Sequence, residues 1–141
     1  MKTPAKEYRE NQILTAPKEE LLLMLLEGAA RFAEQGRAFL QHEKFEEGLK
    51  SFIRAQRIML ELISSLDENV LDKQLYSNLV SLYYFVYWRF VSASVRHEVK
   101  SADEGLKVLG TLRETWSMAV EKSRKEPTSA PKVSSGIDLS S

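Results

Sequence analysis

The four prolines of this chain are confined to its ends, and this distribution restricts the fold more than any other feature. They stand at positions 4, 17, 127 and 131, so 109 consecutive residues, 18–126, contain none. Proline interrupts helices but is common in the turns of β proteins. A run of this length without proline therefore favours long α-helices over a turn-rich β fold.

Apolar residues recur at intervals of three and four through the proline-free run, which is the pattern of helices that bury one face. Four such segments follow one another along the chain. The predicted core stripes are, in chain order, Leu22, Leu25, Ala29, Phe32, Gly36 and Phe39; Phe45, Leu49, Phe52, Gln56, Met59, Ile63 and Leu66; Leu75, Leu79, Leu82 and Val86; and Gly105, Leu109, Leu112, Trp116 and Ala119.

Short polar breaks at residues 41–44, 67–69 and 96–101 separate the four segments. Tight connections of this kind join antiparallel neighbours. We therefore predict an all-α fold, an antiparallel up-down-up-down four-helix bundle at residues 17–125. Residues 1–16 are predicted to form an N-terminal leader or cap segment. Residues 126–141 are predicted to be a flexible tail, because their composition cannot bury enough apolar surface to offset the entropy lost on ordering.

The composition argues against several classes of function. The chain has 20 basic and 20 acidic residues and no net charge, whereas a nucleic-acid partner requires a basic surface for its phosphates. It has no cysteine, which excludes disulfides and thiolate metal sites. Its two histidines, His42 and His97, are not part of the Glu-x-x-His motifs that a bundle uses to hold two metal ions. We therefore predict no nucleic-acid partner and no metal site.

Signals for catalysis and for membrane insertion are also missing from the sequence. There is no G-x-S-x-G motif, no P-loop and no G-x-G-x-x-G motif. The longest stretch without a charge, Gln74 to Trp88, has 15 residues, whereas a membrane-spanning helix needs about 20. The first residues carry charges where a signal peptide has its apolar core. We expect a cytoplasmic protein that is not an enzyme, with no catalytic residue, no cofactor and no membrane insertion.

The third segment is more apolar than one buried helix face requires. From Leu75 to Val91, 13 of 17 residues are apolar, whereas a core-facing helix needs about three in seven. In helical projection, Val80, Tyr84 and Val91 carry the apolar arc to about half of the circumference, and Trp88 lies further round. One interpretation is a central helix that is buried on several sides. The other is an exposed surface that binds an amphipathic helix of a partner.

Five short motifs occur in order along the chain. They are YRENQILTAPKEEL at 8–21, MLLEGA at 24–29, and KSFIRAQRIM at 50–59 followed by Leu62 and SLD at 65–67; then Asn78, Leu79, Leu82, Tyr83, Arg89 and Ala93; then Leu109, Leu112, Arg113 and Trp116. In this order and spacing they resemble the signature of the FliS family of flagellin export chaperones. The resemblance covers roughly residues 8–122. The chain departs from the family pattern at Pro17-Lys18, Leu26, Phe85 and Ser94, where the family has Ser-Pro, an aromatic residue, Tyr and Asn.

The resemblance implies a cytoplasmic helical-bundle chaperone of the type III secretion system that assembles the flagellum. Such a chaperone binds the C-terminal helical segment of flagellin, prevents premature polymerisation and supports delivery to the flagellar export apparatus, with an export-gate component as a further partner. The leader, with Tyr8, is implied to cover or shape part of the binding groove. Tyr8 could equally pin the terminus to the core.

We therefore predict partner-binding residues in the leader and in the third helix: Tyr8, Gln12, Ile13, Val80, Tyr83, Tyr84, Tyr87, Trp88 and Val91. Two alternatives use the same apolar arc. In one, the bundle associates with its own copy about a two-fold axis to form a homodimer. In the other, it is a helical adaptor for another secreted or regulatory protein.

Overall fold

The computed structural model describes residues 18–125, and at residues 119, 120 and 122–125 it describes the backbone alone. Four α-helices account for most of this range: α1 (Lys18–Gln41), α2 (Phe45–Ser65), α3 (Lys73–Arg96) and α4 (Val99–Lys125). No helix in this range is both long and apolar enough to span a lipid bilayer. The predicted leader, 1–16, and the predicted tail, 126–141, lie outside the described residues.

The four helices stand at the corners of one bundle. Each helix packs against the next one along the chain, and α4 closes the bundle by packing against α1. The backbones of the diagonal helices α1 and α3 approach each other only slightly, and those of α2 and α4 do not approach closely among residues 18–125. Because the connections are short, consecutive helices run antiparallel. The prediction of an all-α, up-down-up-down four-helix bundle is confirmed.

Two of the three connections use a residue in the left-handed conformation to end a helix. After α1, Glu43 has a φ of 59°, and its N–H donates to the Leu40 carbonyl oxygen at 3.0 Å, as in a Schellman motif. After α3, His97 has a φ of 58° and stacks its ring on Phe45 with the centroids 3.9 Å apart. The α1–α2 and α3–α4 connections therefore meet at the same end of the bundle.

Two aromatic rings and two glycines join all four helices in the core. Phe52 of α2 and Phe90 of α3 are fully buried, and their ring centroids are 5.9 Å apart. A Cβ atom at Gly36 of α1 would lie 2.7 Å from the Phe52 ring, and one at Gly105 of α4 would lie 2.7 Å from the Phe90 ring. Packing at protein density leaves no room for such contacts. The two glycines therefore allow α1 and α4 to approach the rings of their neighbours.

The buried faces of α1 and α2 differ in part from the predicted stripes. In α1, Ala29 and Gly36 are buried as predicted, but small side chains fill most of the remaining face. Its buried residues are Leu26, Gly28, Ala29, Ala30, Ala33, Gly36 and Leu40, whereas Leu22, Leu25, Phe32 and Phe39 are only half-buried. In α2, Phe45 and Leu49 are 39% and 40% exposed, so their assignment to the core was wrong.

Ion pairs attach α4 to both of its neighbours through adjacent acidic residues. Asp103 pairs with Arg37 of α1. Glu104 accepts a hydrogen bond from Arg89 of α3 at 3.1 Å. All four side chains are a third or more exposed, where such pairs contribute little, about 0–1 kcal/mol each. The hydrophobic core therefore stabilises the bundle, and the ion pairs help to align α4.

Candidate functional site

Both ends of α3 are fixed by local hydrogen bonds. The Asp72 side chain accepts hydrogen bonds from the N–H groups of Gln74 and Leu75, both at 3.1 Å, and so caps the first turn. The helix then runs through 24 residues without glycine or proline and ends at the left-handed His97. These ends fix where α3 starts and stops, and its packing against α2 and α4 sets which of its side chains face solvent.

The side of α3 that faces the core is narrower than its apolar arc. Its buried residues are Leu79, Tyr83, Val86, Phe90, Ala93 and Ser94. Leu75 and Leu82, which were predicted in the core stripe, are 46% and 40% exposed. They lie within about 40° of Arg89 around the helix axis, on the flank that faces α4, and not over the core. Apolar residues therefore remain at the surface on this flank.

Tyr84, Tyr87 and Trp88 form a continuous aromatic cluster at the surface of α3. The ring of Tyr87 meets those of Tyr84 and Trp88 edge to face, with centroids 6.4 and 5.0 Å apart. Tyr84 is 40% and Trp88 55% exposed, and Tyr87 is half-buried. Val80 and Val91 are also half-buried and lie within about 40° of Tyr87 in projection. We call Val80, Tyr84, Tyr87, Trp88 and Val91 the aromatic patch.

The aromatic patch borders α2. Across the α2–α3 interface, Nε2 of Gln56 donates a long hydrogen bond, 3.5 Å, to Oγ of Ser94. Most of the patch lies within about 80° of Ser94 in projection, with Trp88 at the outer rim. On α2, three apolar side chains lie within about 60° of Gln56. The α2–α3 groove is therefore walled by the aromatic patch on one side and by Leu49, Ile53 and Leu60 on the other.

The α2 wall of this groove was not predicted from the sequence. Leu49 and Leu60 are 40% and 42% exposed, and Ile53 is half-buried. Leu49 had been placed in the core stripe, and the other two lie outside that stripe. The sequence did contain a signal for this wall. Apolar residues at positions 49, 53 and 60 lie on one flank of the helix, next to its core face.

The structure separates the predicted site residues into three groups. Val80, Tyr84, Tyr87, Trp88 and Val91 come together in the aromatic patch. Tyr8, Gln12 and Ile13 lie outside the described residues. Tyr83 has no exposed surface, so its assignment to a partner-binding surface was wrong. The apolar arc of α3 is continuous through Tyr83, and the projection alone does not show which part of the arc the neighbouring helices cover.

Tyr83 places a hydroxyl group inside the core. This hydroxyl makes no hydrogen bond of normal geometry with the described residues, although the Trp116 side chain lies near it. Burial raises the pKa of Tyr83 above its ordinary value, and the interaction with Trp116 offsets part of the rise. The group is therefore neutral at physiological pH and acts as a packing residue.

A second apolar strip lies on the opposite flank of α3, toward α4. It consists of Leu75, Leu82 and Phe85, which is 44% exposed. The guanidinium group of Arg89 lies over the Phe85 ring, 5.8 Å from its centroid, and also pairs with Glu104. In this strip, the Arg89 cation therefore lies next to the aromatic ring. Among the described contacts, no cation lies over the rings of Tyr84, Tyr87 and Trp88 in the α2–α3 groove.

The His, Asp and Glu side chains within residues 18–125 do not form a metal-binding group. No three His, Asp or Glu side chains in this part of the chain are grouped so that they could hold a metal ion. The ring of His42 is hydrogen-bonded to the Ala38 carbonyl oxygen at 2.9 Å, and that of His97 stacks on Phe45. What distinguishes the surface of α3 within this part of the chain is its exposed apolar area.

Comparisons with known proteins give a consistent result. A family model described as flagellar protein FliS matches residues 1–123. The flagellar secretion chaperone FliS of Bacillus subtilis (strain 168) is 26% identical over 126 residues, which are 89% of this chain and 92% of the relative. The protein of the same name from Escherichia coli (strain K12) is 26% identical over 108 residues, 76% of this chain and 79% of the relative. A crystal structure of a bacterial flagellar chaperone superposes with a TM-score of 0.70 at 25% identity, covering 82% of this chain and 94% of the other.

Proposed function

Since the chain belongs to the FliS family of flagellar proteins, we propose that it is an export chaperone for flagellin. In this proposal it binds the C-terminal helical segment of flagellin in the cytoplasm and prevents premature polymerisation. It then supports delivery of the subunit to the flagellar type III export apparatus, where a component of the export gate is a further partner. Two relatives that carry the name secretion chaperone support a function in secretion.

The exposed aromatic patch is the observation that carries this proposal. Tyr and Trp contribute large contact areas and are enriched among the residues that dominate binding energy. At full side-chain areas of about 150–250 Å², the exposed parts of Tyr84 and Trp88 amount to roughly 200 Å². At 25 cal/mol per Å², covering them would stabilise a complex by about 5 kcal/mol before the entropic cost of association.

The shape of the surface favours a helical partner. The α2–α3 groove has apolar walls contributed by two antiparallel helices, and an amphipathic helix can lay its apolar face into such a groove. Leader residues Tyr8, Gln12 and Ile13 are proposed to contribute to the same surface. They lie five to ten residues before α1, which begins at Lys18. No catalytic step and no cofactor enters this function.

Titration calorimetry with a peptide of the flagellin C-terminal segment tests the proposal. We expect binding by the full-length chain with a negative heat-capacity change, because apolar surface is buried. Trp88→Asp and Tyr84→Asp should each weaken binding about 30-fold or more, as expected for residues worth 2 kcal/mol. Gln35→Asp, at an exposed position of α1, is the matched control and should bind like wild type.

Circular dichroism of the same variants separates a binding defect from a folding defect. Trp88→Asp and Tyr84→Asp should retain the helical signal of wild type, whereas Tyr83→Asp should lose it because a buried charge would have no partner. The proposal is wrong if the wild-type chain does not bind the peptide, or if the aspartate variants at 84 and 88 bind it normally.

Self-association is the competing use of the same patch. Light scattering across a dilution series distinguishes it from peptide binding. A dimer that persists at all concentrations, and that the flagellin peptide does not dissociate, would replace the chaperone proposal with a homodimeric adaptor. A monomer that binds the peptide with one-to-one stoichiometry would support the chaperone.

A further inference from the structure

One polar side chain lies between the apolar walls of the α2–α3 groove. Gln56 is half-buried on the flank of α2 that faces α3, with Ile53 and Leu60 on the same flank. We propose that Gln56 determines the register of the bound client helix by accepting a hydrogen bond from a polar side chain on that helix. This inference rests on the proposed function, since it concerns the helix that occupies the same groove.

The orientation of the Gln56 amide follows from its neighbour. The Ser94 hydroxyl donates its proton to the Val91 carbonyl oxygen at 2.9 Å. It can therefore only accept a hydrogen bond from Gln56. Nε2 of Gln56 therefore points toward Ser94, at 3.5 Å. Oε1 accepts no hydrogen bond from the residues that the structure describes, and it is not one of the buried atoms that lack a partner, so it keeps some contact with solvent. The amide carbonyl is available to a partner.

A client helix that covered the groove would remove water from this carbonyl. A polar group that loses water without gaining a partner costs about 1–3 kcal/mol. A client with Ser, Thr, Asn or Gln over Gln56 avoids this cost, whereas a purely apolar client does not. A single buried asparagine fixes register in coiled coils in the same way, at some expense in affinity. The client class is therefore an amphipathic helix whose apolar face includes one hydrogen-bond donor.

A double-mutant cycle on the full-length chain tests this assignment. The probe is the C-terminal flagellin peptide, in which each Ser, Thr, Asn and Gln is replaced in turn by alanine. On the protein side, Gln56→Met removes the amide at nearly constant length. Gln35→Met, at an exposed position of α1 outside the groove, is the control. Dissociation constants are measured by calorimetry for every combination, and the coupling between the two changes is extracted.

With wild type and with Gln35→Met, one peptide replacement should raise the dissociation constant about 5- to 150-fold, because it leaves the covered Gln56 carbonyl without a partner. With Gln56→Met, the same replacement should change it less than 2-fold. Gln56→Leu should give the same pattern and serves as the second variant if the methionine variant loses helical signal. The assignment is overturned if the unmodified peptide binds wild type normally but no replacement distinguishes wild type from the Gln56 variants. Failure of the peptide to bind wild type at all refutes the chaperone proposal, and this inference with it.

Discussion

Gly105 is a position where the fold leaves no room for a side chain, and Gly105→Ala should make the bundle less stable than an unhindered glycine-to-alanine change in the same helix. A Cβ atom there would lie 2.7 and 3.1 Å from two carbons of the Phe90 ring and 3.1 Å from Cβ of Arg89. Phe90 is fully buried and packs against Phe52, so its ring has no free space to move into. The extra methyl group must therefore move either the ring or α4 itself.

Two opposing effects determine the magnitude. Alanine is favoured over glycine within a helix by about 1 kcal/mol. Overpacking a well-packed core costs about 1–3 kcal/mol. Gly110 in the same helix isolates the first effect, because a Cβ atom there would have no neighbour within 4 Å. We expect Gly110→Ala to stabilise the bundle by about 1 kcal/mol, and Gly105→Ala to be about 1–3 kcal/mol less stable than Gly110→Ala.

Urea unfolding followed by circular dichroism measures both variants. With a slope of about 2 kcal/mol per molar urea, the two midpoints should differ by roughly 0.5–1.5 M. Phe90→Leu should cost less stability in the Gly105→Ala background than in wild type, since the shorter side chain relieves the contact. The reasoning would be refuted if Gly105→Ala stabilised the chain as much as Gly110→Ala, because the ring would then not lie against α4.

Three further changes test other local features of the fold. Glu43→Gly should raise stability by about 0.5–1 kcal/mol in thermal unfolding, since glycine adopts a φ of 59° without strain; a lower melting temperature would contradict this. Asp72→Ala should cost about 1 kcal/mol through loss of the α3 cap, and Asp72→Asn should retain most of it. Burial raises the pKa of Tyr83, so the Tyr83 hydroxyl loses its proton at a lower pH in the unfolded chain than in the folded one. The free energy of unfolding should therefore fall as the pH rises above about 10. Tyr83→Phe should lose less stability between pH 9 and 11 than Tyr84→Phe, whose hydroxyl is on an exposed residue; an equal loss in the two variants would show that Tyr83 is not the cause.

The helices were predictable because their signals are local. Spacing of apolar residues, absence of proline and short polar breaks each depend on a few neighbouring positions, and together they specify four antiparallel helices. The rotation of each helix was less predictable. Ala30 and Ala33 of α1 are buried while the larger and more apolar Phe32 is only half-buried, because burial depends on where the neighbouring helices pack and not on side-chain size. That choice depends on the neighbouring helix, which the sequence of α1 does not contain.

The same limit applies to the candidate site. The apolar excess of α3 was open to two interpretations, a helix buried on several sides and a helix with an exposed surface, and five of its predicted residues do lie together at the surface. Tyr83 and Tyr84 are adjacent in sequence, yet one is fully buried and the other is 40% exposed. The contribution of α2 to the groove could not be inferred from α3 alone. Gln56 was placed in a core stripe, and its position at the seam with α3 became visible only from the bond to Ser94.

The distribution of charge determines which forces can act in the groove. The chain carries 40 charges with no net excess, and α3 has none between Gln74 and Trp88. In the proposed function, the charge-free part of α3 itself therefore gives an approaching client helix little long-range electrostatic attraction. On the proposed function, affinity comes mainly from burial of the aromatic patch, which is non-directional, and such contact alone would let a client helix slide along the groove. A directional contact is needed to select one register, and Gln56 is placed to provide it.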